Sequence, residues 1–285
     1  MINKFIADRK IRGLSQKTIL YYSENLLQYK KYCENNNIEL LSEQSYNSYC
    51  LNLLENTNIN RVTVCTYLRA VKTFLRWCTD NGYCDFGYKI KLPKKSGSKI
   101  IPLSDNEIFL IMHCLDDTDI LHLRNKCIVL LMLDCGLRRG EVVDLKCSNV
   151  NFSEKSLVVV GKGDKQRYVP MGDNICKYMS VYNDLVSRSD MRHFFVNKSG
   201  NKITGNVIRC FFQKLKKQSG VMRLHPHLLR HTFATRYLLN GGNLESLRLI
   251  LGHSDLDITQ VYLHLAEYFK ILQSRHISLV DKFTE

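Results

Sequence analysis

The chain has 285 residues, 45% of them hydrophobic, which is enough for two ordinary domains with real cores and excludes a disordered chain. Its 41 lysines and arginines exceed its 27 acids, for a formal net charge of +14. This excess favours a polyanionic partner, because each phosphate that a cation neutralises releases condensed counterions. A membrane surface fits less well, since the sequence has neither an amphipathic basic anchor nor a lipidation signal. The N-terminal segment MINKFIADRK lacks the long apolar stretch of a signal peptide.

The 11 cysteines are scattered and include no C-x-x-C pair. A disulfide framework or a zinc site is therefore not expected, and reduced thiols in a cytoplasmic protein fit better. Cys65, Cys78 and Cys127 lie in apolar surroundings and are predicted to be small core residues.

Residues 1–88 are predicted to form a helical domain. One helix follows Ser15 and extends to about Asn35, a second covers Tyr46 to Leu54, and a third covers Arg61 to Asp80. The apolar spacing of the first helix predicts a buried face made of Ile19, Tyr22, Leu26, Leu27 and Tyr29.

The third helix alternates apolar residues with basic ones. Such a basic face often contacts only solvent, but the charge of the whole chain favours DNA. The candidate DNA-binding residues on it are Arg61, Arg69, Lys72 and Arg76. Residues 89–101 contain five lysines, a proline and a glycine without any acid, which indicates a basic linker. Lys94 and Lys95 in this linker are further candidates for contact with the DNA backbone.

Residues 102–285 are predicted to form a second domain. It opens with a capping box at Ser104 to Glu107, and an apolar helix around 128–133 ends near Gly136. Two β-prone runs, 157–160 and 166–170, flank a glycine-rich turn and predict a hairpin. The remainder is mostly helical, with a short apolar run at 194–196. The expected fold class is mainly α with a small β-sheet (α+β).

Three segments of this domain carry groups suited to phosphate chemistry. Pro226 suits the first turn of a helix, so His227 and Arg230 would share a face at a helix N-terminus, where phosphate is attracted. In CGLRRGE, either Arg138 or Arg139 could hold phosphate and Glu141 could orient it. In the hairpin turn, Lys162 could protonate a leaving oxygen, with Lys165 as its local rival.

A fourth segment contains His253, just after a helix stop, and Tyr262, in a short helix expected to start after Ser254. A phenol has a pKa of about 10 and needs cationic neighbours and a base to act as a nucleophile. Taken singly, each of these residues also fits an ordinary structural place, and Tyr262 is one of 15 tyrosines.

Taken in order, the segments CGLRRGE, GKGDKQRYVP, HPHLLRHTFAT and LGHSDLDITQVYLH resemble the tyrosine recombinase, or phage integrase-like, family. The resemblance covers the whole second domain. The first domain is similar, more loosely, to the helical core-binding domain of that family, and the layout is similar to its compact Xer-like members.

The resemblance implies DNA strand breakage and rejoining through a 3′-phosphotyrosine, without ATP, a metal or another cofactor. It selects Arg138 as the first clamp arginine, because Glu141 follows three residues later. It makes Lys162 the donor to the leaving 5′ oxygen, His253 the second histidine and Tyr262 the nucleophile. Two arginines and two histidines would then stabilise the charge that builds on the phosphate. The implied catalytic set is Arg138, Lys162, His227, Arg230, His253 and Tyr262.

The implied partner is double-stranded DNA at specific recombination sites, bound by a homotetramer that is a monomer or weak dimer when free. No membrane partner is expected. Two alternatives remain: a type IB-like topoisomerase with the same phosphotyrosine chemistry, and a DNA-binding regulator without catalysis. The complete residue set argues against the regulator. Residues 277–280 could dock on a neighbouring subunit or pack on their own domain.

Overall fold

A computed structural model describes residues 1–93, 101–161, 165–186, 192–253 and 255–273. The chain divides into two compact units, Met1–Lys99 and Ile100–Glu285. The described residues are mainly helical with one three-stranded sheet, so the predicted fold class is confirmed. Lys94, Lys95, Lys162 and the segment 277–280, all named in the predictions, lie outside the described residues. No described helix is long and apolar enough to cross a membrane.

The first unit consists of the helices α1 (Ile2–Ile11), α2 (Gln16–Asn35), α3 (Glu43–Glu55) and α4 (Arg61–Asp80). Side-chain oxygens of Ser15, Ser42 and Asn60 cap α2, α3 and α4 by accepting backbone N–H bonds. These caps explain why α2 and α4 begin where the sequence predicted. They also explain why α3 begins three residues before the predicted Tyr46.

The core of this unit contains aromatic and aliphatic side chains from all four helices. The ring of Phe5 contacts those of Tyr22, Phe74 and Trp77 edge-on, which ties α1 to α2 and α4. The predicted buried face of α2 is wrong at Leu27, which is 50% exposed. Leu27 is one residue beyond the buried Leu26, and one residue rotates a side chain about 100° around the helix.

The second unit begins with the capping box at Ser104 and Glu107, whose two reciprocal bonds are both present. Its elements in chain order are α5 (Asp105–His113), α6 (Ile120–Asp134), α7 (Arg139–Asp144), a 3-10 turn (Cys147–Asn149), β1 (Val150–Asn151), β2 (Ser156–Val160), β3 (Gln166–Pro170), α8 (Asp173–Leu185), α9 (Gly205–Ser219), α10 (Pro226–Leu239), α11 (Leu244–Leu251) and α12 (Asp257–Gln273). The helix that carries Tyr262 therefore has 17 residues and is not short as predicted.

The predicted hairpin is confirmed. The strands β2 and β3 pair antiparallel, with Leu157 opposite Val169 and Val159 opposite Arg167, and β1 extends the sheet on the other side of β2. Leu157, Val159 and Val169 are buried, so one face of the sheet packs on the core. Phe194 and Phe195, in the predicted apolar run, are fully buried in the same core.

The arrangement of α6, α10 and α12 positions the site. The long apolar α6 packs against α8 and α10, and α10 packs against α12. Gly136 ends α6 in the left-handed region, at φ +66°, and a Cβ there would lie 2.5 Å from the ring of Phe233 on α10. Only glycine lets the chain turn this close to α10, so the loop that leads from α6 to α7 lies against Phe233. The three cysteines predicted to be core residues are buried: Cys65, Cys78 and Cys127.

Candidate active site

Arg230 lies at the centre of a cluster of polar side chains in the second unit. It is on the first turns of α10 and is only 4% exposed. Its guanidinium donates to the backbone carbonyls of Gly136, at 2.6 Å, and Leu251, at 2.8 Å. Burial and the neighbouring Arg138 lower the pKa of Arg230 to about 9, so it remains a cation at neutral pH. Two backbone carbonyls, one just after α6 and one at the end of α11, thus hold this cation in place.

Glu141 connects three arginines around this centre. Its carboxylate accepts two bonds from Arg167, both at 2.8 Å, and one from the side chain of Arg138, at 2.8 Å. It also accepts the backbone N–H of Arg138 at 2.7 Å, and Arg230 lies 4.0 Å away. Burial raises the pKa of Glu141, but the bonds from Arg167 and Arg138 outweigh this and the pKa lies below its ordinary value.

Arg138 is the arginine of CGLRRGE that enters this network. Its backbone occupies the N-terminal cap position of α7, and its side chain is 36% exposed, whereas those of Arg167 and Arg230 are 10% and 4% exposed. Arg138 therefore presents a cation that is held by Glu141 and remains accessible to a ligand.

His253 lies between Arg230 and α12. Its Nε2 is 3.0 Å from a guanidinium nitrogen of Arg230, and its Nδ1 is 2.9 Å from the hydroxyl of Thr259. A guanidinium can only donate, so Nε2 accepts and the ring proton is on Nδ1, bonded to Thr259. Burial and the charge of Arg230 lower the pKa of His253 to about 4. The imidazole is therefore neutral at pH 7.

Tyr262 is buried beside this histidine, with 5% of its surface exposed. Its ring stacks on that of His253, with centroids 6.3 Å apart and planes 15° apart. Its hydroxyl is 2.7 Å from Nδ1 of His231 on α10. Burial raises the pKa of Tyr262, while Arg230 and Arg138 oppose the rise by favouring the phenolate. The phenol is therefore next to both a cation and a ring nitrogen.

His227 lies in the first turn of α10, after Pro226, as the sequence predicted. His225 caps the helix, because its Nδ1 accepts the N–H of Leu228 at 3.2 Å. Partial burial, His225 and Arg230 lower the pKa of His227. His227 is exposed to solvent, unlike His253, and so presents a neutral ring at an accessible helix N-terminus.

The structure thus brings together five of the predicted residues, with Arg230 at their centre, and His227 lies one turn before Arg230 on the same helix. These five are Arg138, Glu141, Arg230, His253 and Tyr262. Lys162 lies outside the described residues; the flanking Gly161 and Lys165 close the hairpin through an N–H to carbonyl bond of 2.8 Å.

The basic residues predicted on α4 belong to the first unit. Arg61, Arg69 and Arg76 are exposed and Lys72 is half-buried. The guanidinium of Arg76 lies 5.4 Å from the centre of the Tyr88 ring, which gives it a cation–π partner. Their place on a solvent-facing side of α4 leaves them accessible to a polyanion.

Three residues of the network were missed from the sequence. Arg167 has a usable signal: it is two residues before the buried Val169, so strand alternation places it on the inner face of β3. His231 follows His227 by four residues and therefore shares its helical face. Thr259, which is fully buried, gave no signal, since its role depends on how the loop before α12 closes on His253.

The sequence pattern of the phage integrase family matches residues 102–268, and that of the phage integrase N-terminal SAM-like domain matches residues 1–85. The chain is 31% identical to a tyrosine recombinase XerC of Lactobacillus delbrueckii subsp. bulgaricus over 268 residues, which are 90% of each protein. It is 28% identical to a tyrosine recombinase XerD of Staphylococcus aureus, again over 90% of each.

Solved structures share the fold. The integrase of the Tn1549 transposon, in complex with a circular intermediate DNA, superposes with a TM-score of 0.74 at 16% identity, over 92% of this chain and 94% of that one. The XerH site-specific recombinase, bound to a palindromic difH substrate, superposes with a TM-score of 0.69 at 19% identity, over 93% of this chain and 83% of that one.

The chain belongs to the phage integrase family of tyrosine recombinases. The predicted family, and the prediction that the chain is a tyrosine-type site-specific recombinase, are thereby confirmed.

Proposed function

We propose that this recombinase cleaves and rejoins DNA strands by attack of the Tyr262 hydroxyl on a phosphodiester, and that Arg138, Arg230, His227 and His253 surround that phosphate. The observation that carries the proposal is the position of Tyr262. Its ring stacks on His253, and His253 in turn accepts a bond from Arg230. A phenol buried next to a fixed guanidinium has the cationic neighbour that it needs to become a nucleophile.

Each group has a distinct part in the proposed step. Attack builds negative charge on the non-bridging oxygens, which Arg138 and Arg230 stabilise from positions that are fixed before the substrate arrives. His227 adds a further donor to these oxygens, and His253 holds Arg230 beside the ring of Tyr262. Lys162 protonates the leaving 5′ oxygen. The product is a 3′-phosphotyrosine that keeps the bond energy, so a 5′ hydroxyl can reverse the reaction on the same strand or on a partner strand.

The proposed partner is double-stranded DNA at specific recombination sites. The net charge of +14 and the exposed arginines of α4 support it, because both attract a polyphosphate. The two solved complexes above contain DNA, which agrees with this partner. We further propose a homotetramer on DNA and a cytoplasmic location, where the 11 free cysteines would stay reduced.

The test is covalent adduct formation on a DNA duplex that carries the recombination site and a nick beside the cleavage position. Cleavage releases the short fragment between the cleavage position and the nick, which carries the 5′ hydroxyl. Its loss prevents rejoining, so the phosphotyrosine is trapped and migrates as a protein–DNA adduct in a denaturing gel. The wild type should form the adduct and Tyr262→Phe should not. Tyr268→Phe is the matched control, because Tyr268 lies on the same helix, is 56% exposed and should leave the yield unchanged.

An adduct with Tyr262→Phe would refute the assignment of the nucleophile. A plasmid without any recombination site distinguishes the topoisomerase alternative, because a topoisomerase relaxes such a plasmid and a site-specific recombinase does not.

A further inference from the structure

His231 holds a position that the proposed catalytic set does not use. It is on α10, directly after Arg230, and its Nδ1 is 2.7 Å from the Tyr262 hydroxyl. The two rings lie 5.6 Å apart at 41°, so the contact is made at the ring edge rather than by stacking. His231 therefore contacts the oxygen atom that would attack phosphorus.

The electrostatic surroundings keep this imidazole neutral. Burial, followed by His227, His225 and Arg230, lowers the pKa of His231 to about 4. A neutral imidazole has one ring nitrogen with a free lone pair, and a phenol can donate its proton to that nitrogen. At neutral pH, His231 is thus in the protonation state that a base requires.

His253, the other histidine next to Tyr262, cannot act as the base in this arrangement. Nε2 of His253 already accepts from Arg230, and Nδ1 carries the ring proton that is bonded to Thr259. Both ring nitrogens of His253 are therefore engaged. His231 has its Nδ1 on the phenol itself.

We propose that His231 is a catalytic residue that accepts the Tyr262 proton during strand cleavage and returns it during rejoining. The inference rests on the proposed function of Tyr262. As the phenolic oxygen forms its bond to phosphorus, the O–H proton passes to Nδ1 of His231. The bond from phosphorus to the 5′ oxygen breaks, and that oxygen takes a proton from Lys162. In rejoining, the imidazolium of His231 protonates the leaving phenolic oxygen, and the attacking 5′ hydroxyl returns its proton to the neutral amine of Lys162.

His231→Asn tests proton transfer separately from positioning. The side-chain oxygen of asparagine occupies about the place of Nδ1, so it can still accept a hydrogen bond from Tyr262, but it is too weak a base to take the proton. General base catalysis contributes about 10²–10⁴-fold, so single-turnover cleavage of the nicked duplex should slow by at least about 10²-fold. Wild-type cleavage by the asparagine variant would overturn the proposal.

His231→Ala gives a second, independent measurement. Added imidazole should diffuse into the vacated space and restore cleavage at least about tenfold, as expected if a lost base is replaced. Pyrazole has the same shape but is a far weaker base, and it should not restore cleavage. Equal rescue by both compounds, or no rescue by imidazole, would mean that the ring only fills space and would overturn the proposal.

Controls separate this inference from the proposed function. His264→Ala changes another histidine of the α12 region, one whose side chain is 78% exposed, and should leave cleavage unchanged. DNA binding by each variant is measured in a gel shift. If Tyr262→Phe still forms adducts, the proposed nucleophile is wrong and the part assigned to His231 falls with it. If Tyr262→Phe is inactive and His231→Asn is fully active, the nucleophile stands and only the base is wrong.

Discussion

Arg167 offers the sharpest test of how the site is held together. It makes two bonds to Glu141, and its Nε donates to the carbonyl of Ile250 at 2.6 Å. The same side chain thus joins β3 to α7 and to the end of α11. Arg167→Met keeps much of the apolar stem and removes the guanidinium, so it breaks all three contacts without a large loss of volume.

The expected destabilisation follows from the burial of both partners. The side chains of Arg167 and Glu141 are 10% and 7% exposed. Removing one partner of a buried ion pair costs about 3–5 kcal/mol, because the other charge is left uncompensated. Because Arg138 still bonds to Glu141 in the variant, the destabilisation should be near the lower end of this range, about 3 kcal/mol. The lost bond to Ile250 adds about 1 kcal/mol. The free energy of unfolding of the second unit should therefore fall by about 3 to 4 kcal/mol.

Urea unfolding measures this change, if the second unit is followed separately. The single tryptophan, Trp77, lies in the first unit, so its fluorescence reports on the wrong core. Hydrogen exchange at the amides of β3 and α7 reports on the right one. Arg209→Met is the control, because Arg209 is an exposed arginine of α9 and its loss should stay within about 0.5 kcal/mol.

A double-mutant cycle with Glu141→Gln then isolates the pair. In the double variant no uncompensated carboxylate remains. Its free energy of unfolding should therefore fall by at least about 1 kcal/mol less than the sum of the two single-variant losses. Arg167 does not hold the site together if Arg167→Met is no more destabilising than Arg209→Met, or if the effects of the two single substitutions simply add.

Two further predictions concern charge. The pKa of His253 lies at about 4 against an ordinary 6.5, so its contribution to stability is fully present above pH 6.5 and is lost as the pH falls towards 4. This loss amounts to at most about 3.5 kcal/mol, at about 1.4 kcal/mol per pH unit between 6.5 and 4. Denaturation curves from pH 7 to 4 should show a smaller loss of stability for His253→Asn and the wild-type loss for His264→Asn, whose side chain is 78% exposed. Replacing Arg69 on α4 by alanine should reduce the slope of log affinity against log salt by about 0.9 in a DNA-binding titration, if one phosphate contact is lost. Lys30→Ala, in the same unit, should reduce the slope less, and an unaltered slope for Arg69→Ala would exclude that contact.

The local signals in the sequence predicted the fold well where they were strong. Ser15, Pro226 and the capping box at Ser104 fixed the starts of three helices, because a cap satisfies N–H groups that the helix itself leaves free. The first helix, α1, was not delimited, since it has no capping side chain at Met1 and its position depends on the packing of Phe5. Amphipathic spacing failed at Leu27, because this side chain lies about 100° around α2 from the buried Leu26 and beyond the face that packs on the core.

The site was predictable as a set of residue types but not as a network. The sequence indicated Arg138 only through the resemblance, whereas the structure distinguishes it from Arg139 by its bonds to Glu141. The bond from Arg167 to Glu141 depends on the pairing of β2 with β3 and on the approach of this sheet to α7. The contact of His231 with Tyr262 depends on the packing of α10 against α12. Such contacts join residues far apart in the chain, which no local pattern encodes.

The charge balance of this network explains why it suits a phosphate. Three guanidinium groups, those of Arg138, Arg167 and Arg230, face a single carboxylate, that of Glu141. Arg167 donates to Glu141 and to the carbonyl of Ile250, so it makes the network rigid and is not available to bind a ligand. The excess charge therefore resides on Arg230, which backbone carbonyls hold, and on the more exposed Arg138. Like charges therefore lie at close range in this site. In the proposed mechanism, a phosphate that gains negative charge as Tyr262 attacks it would relieve that repulsion most in the transition state.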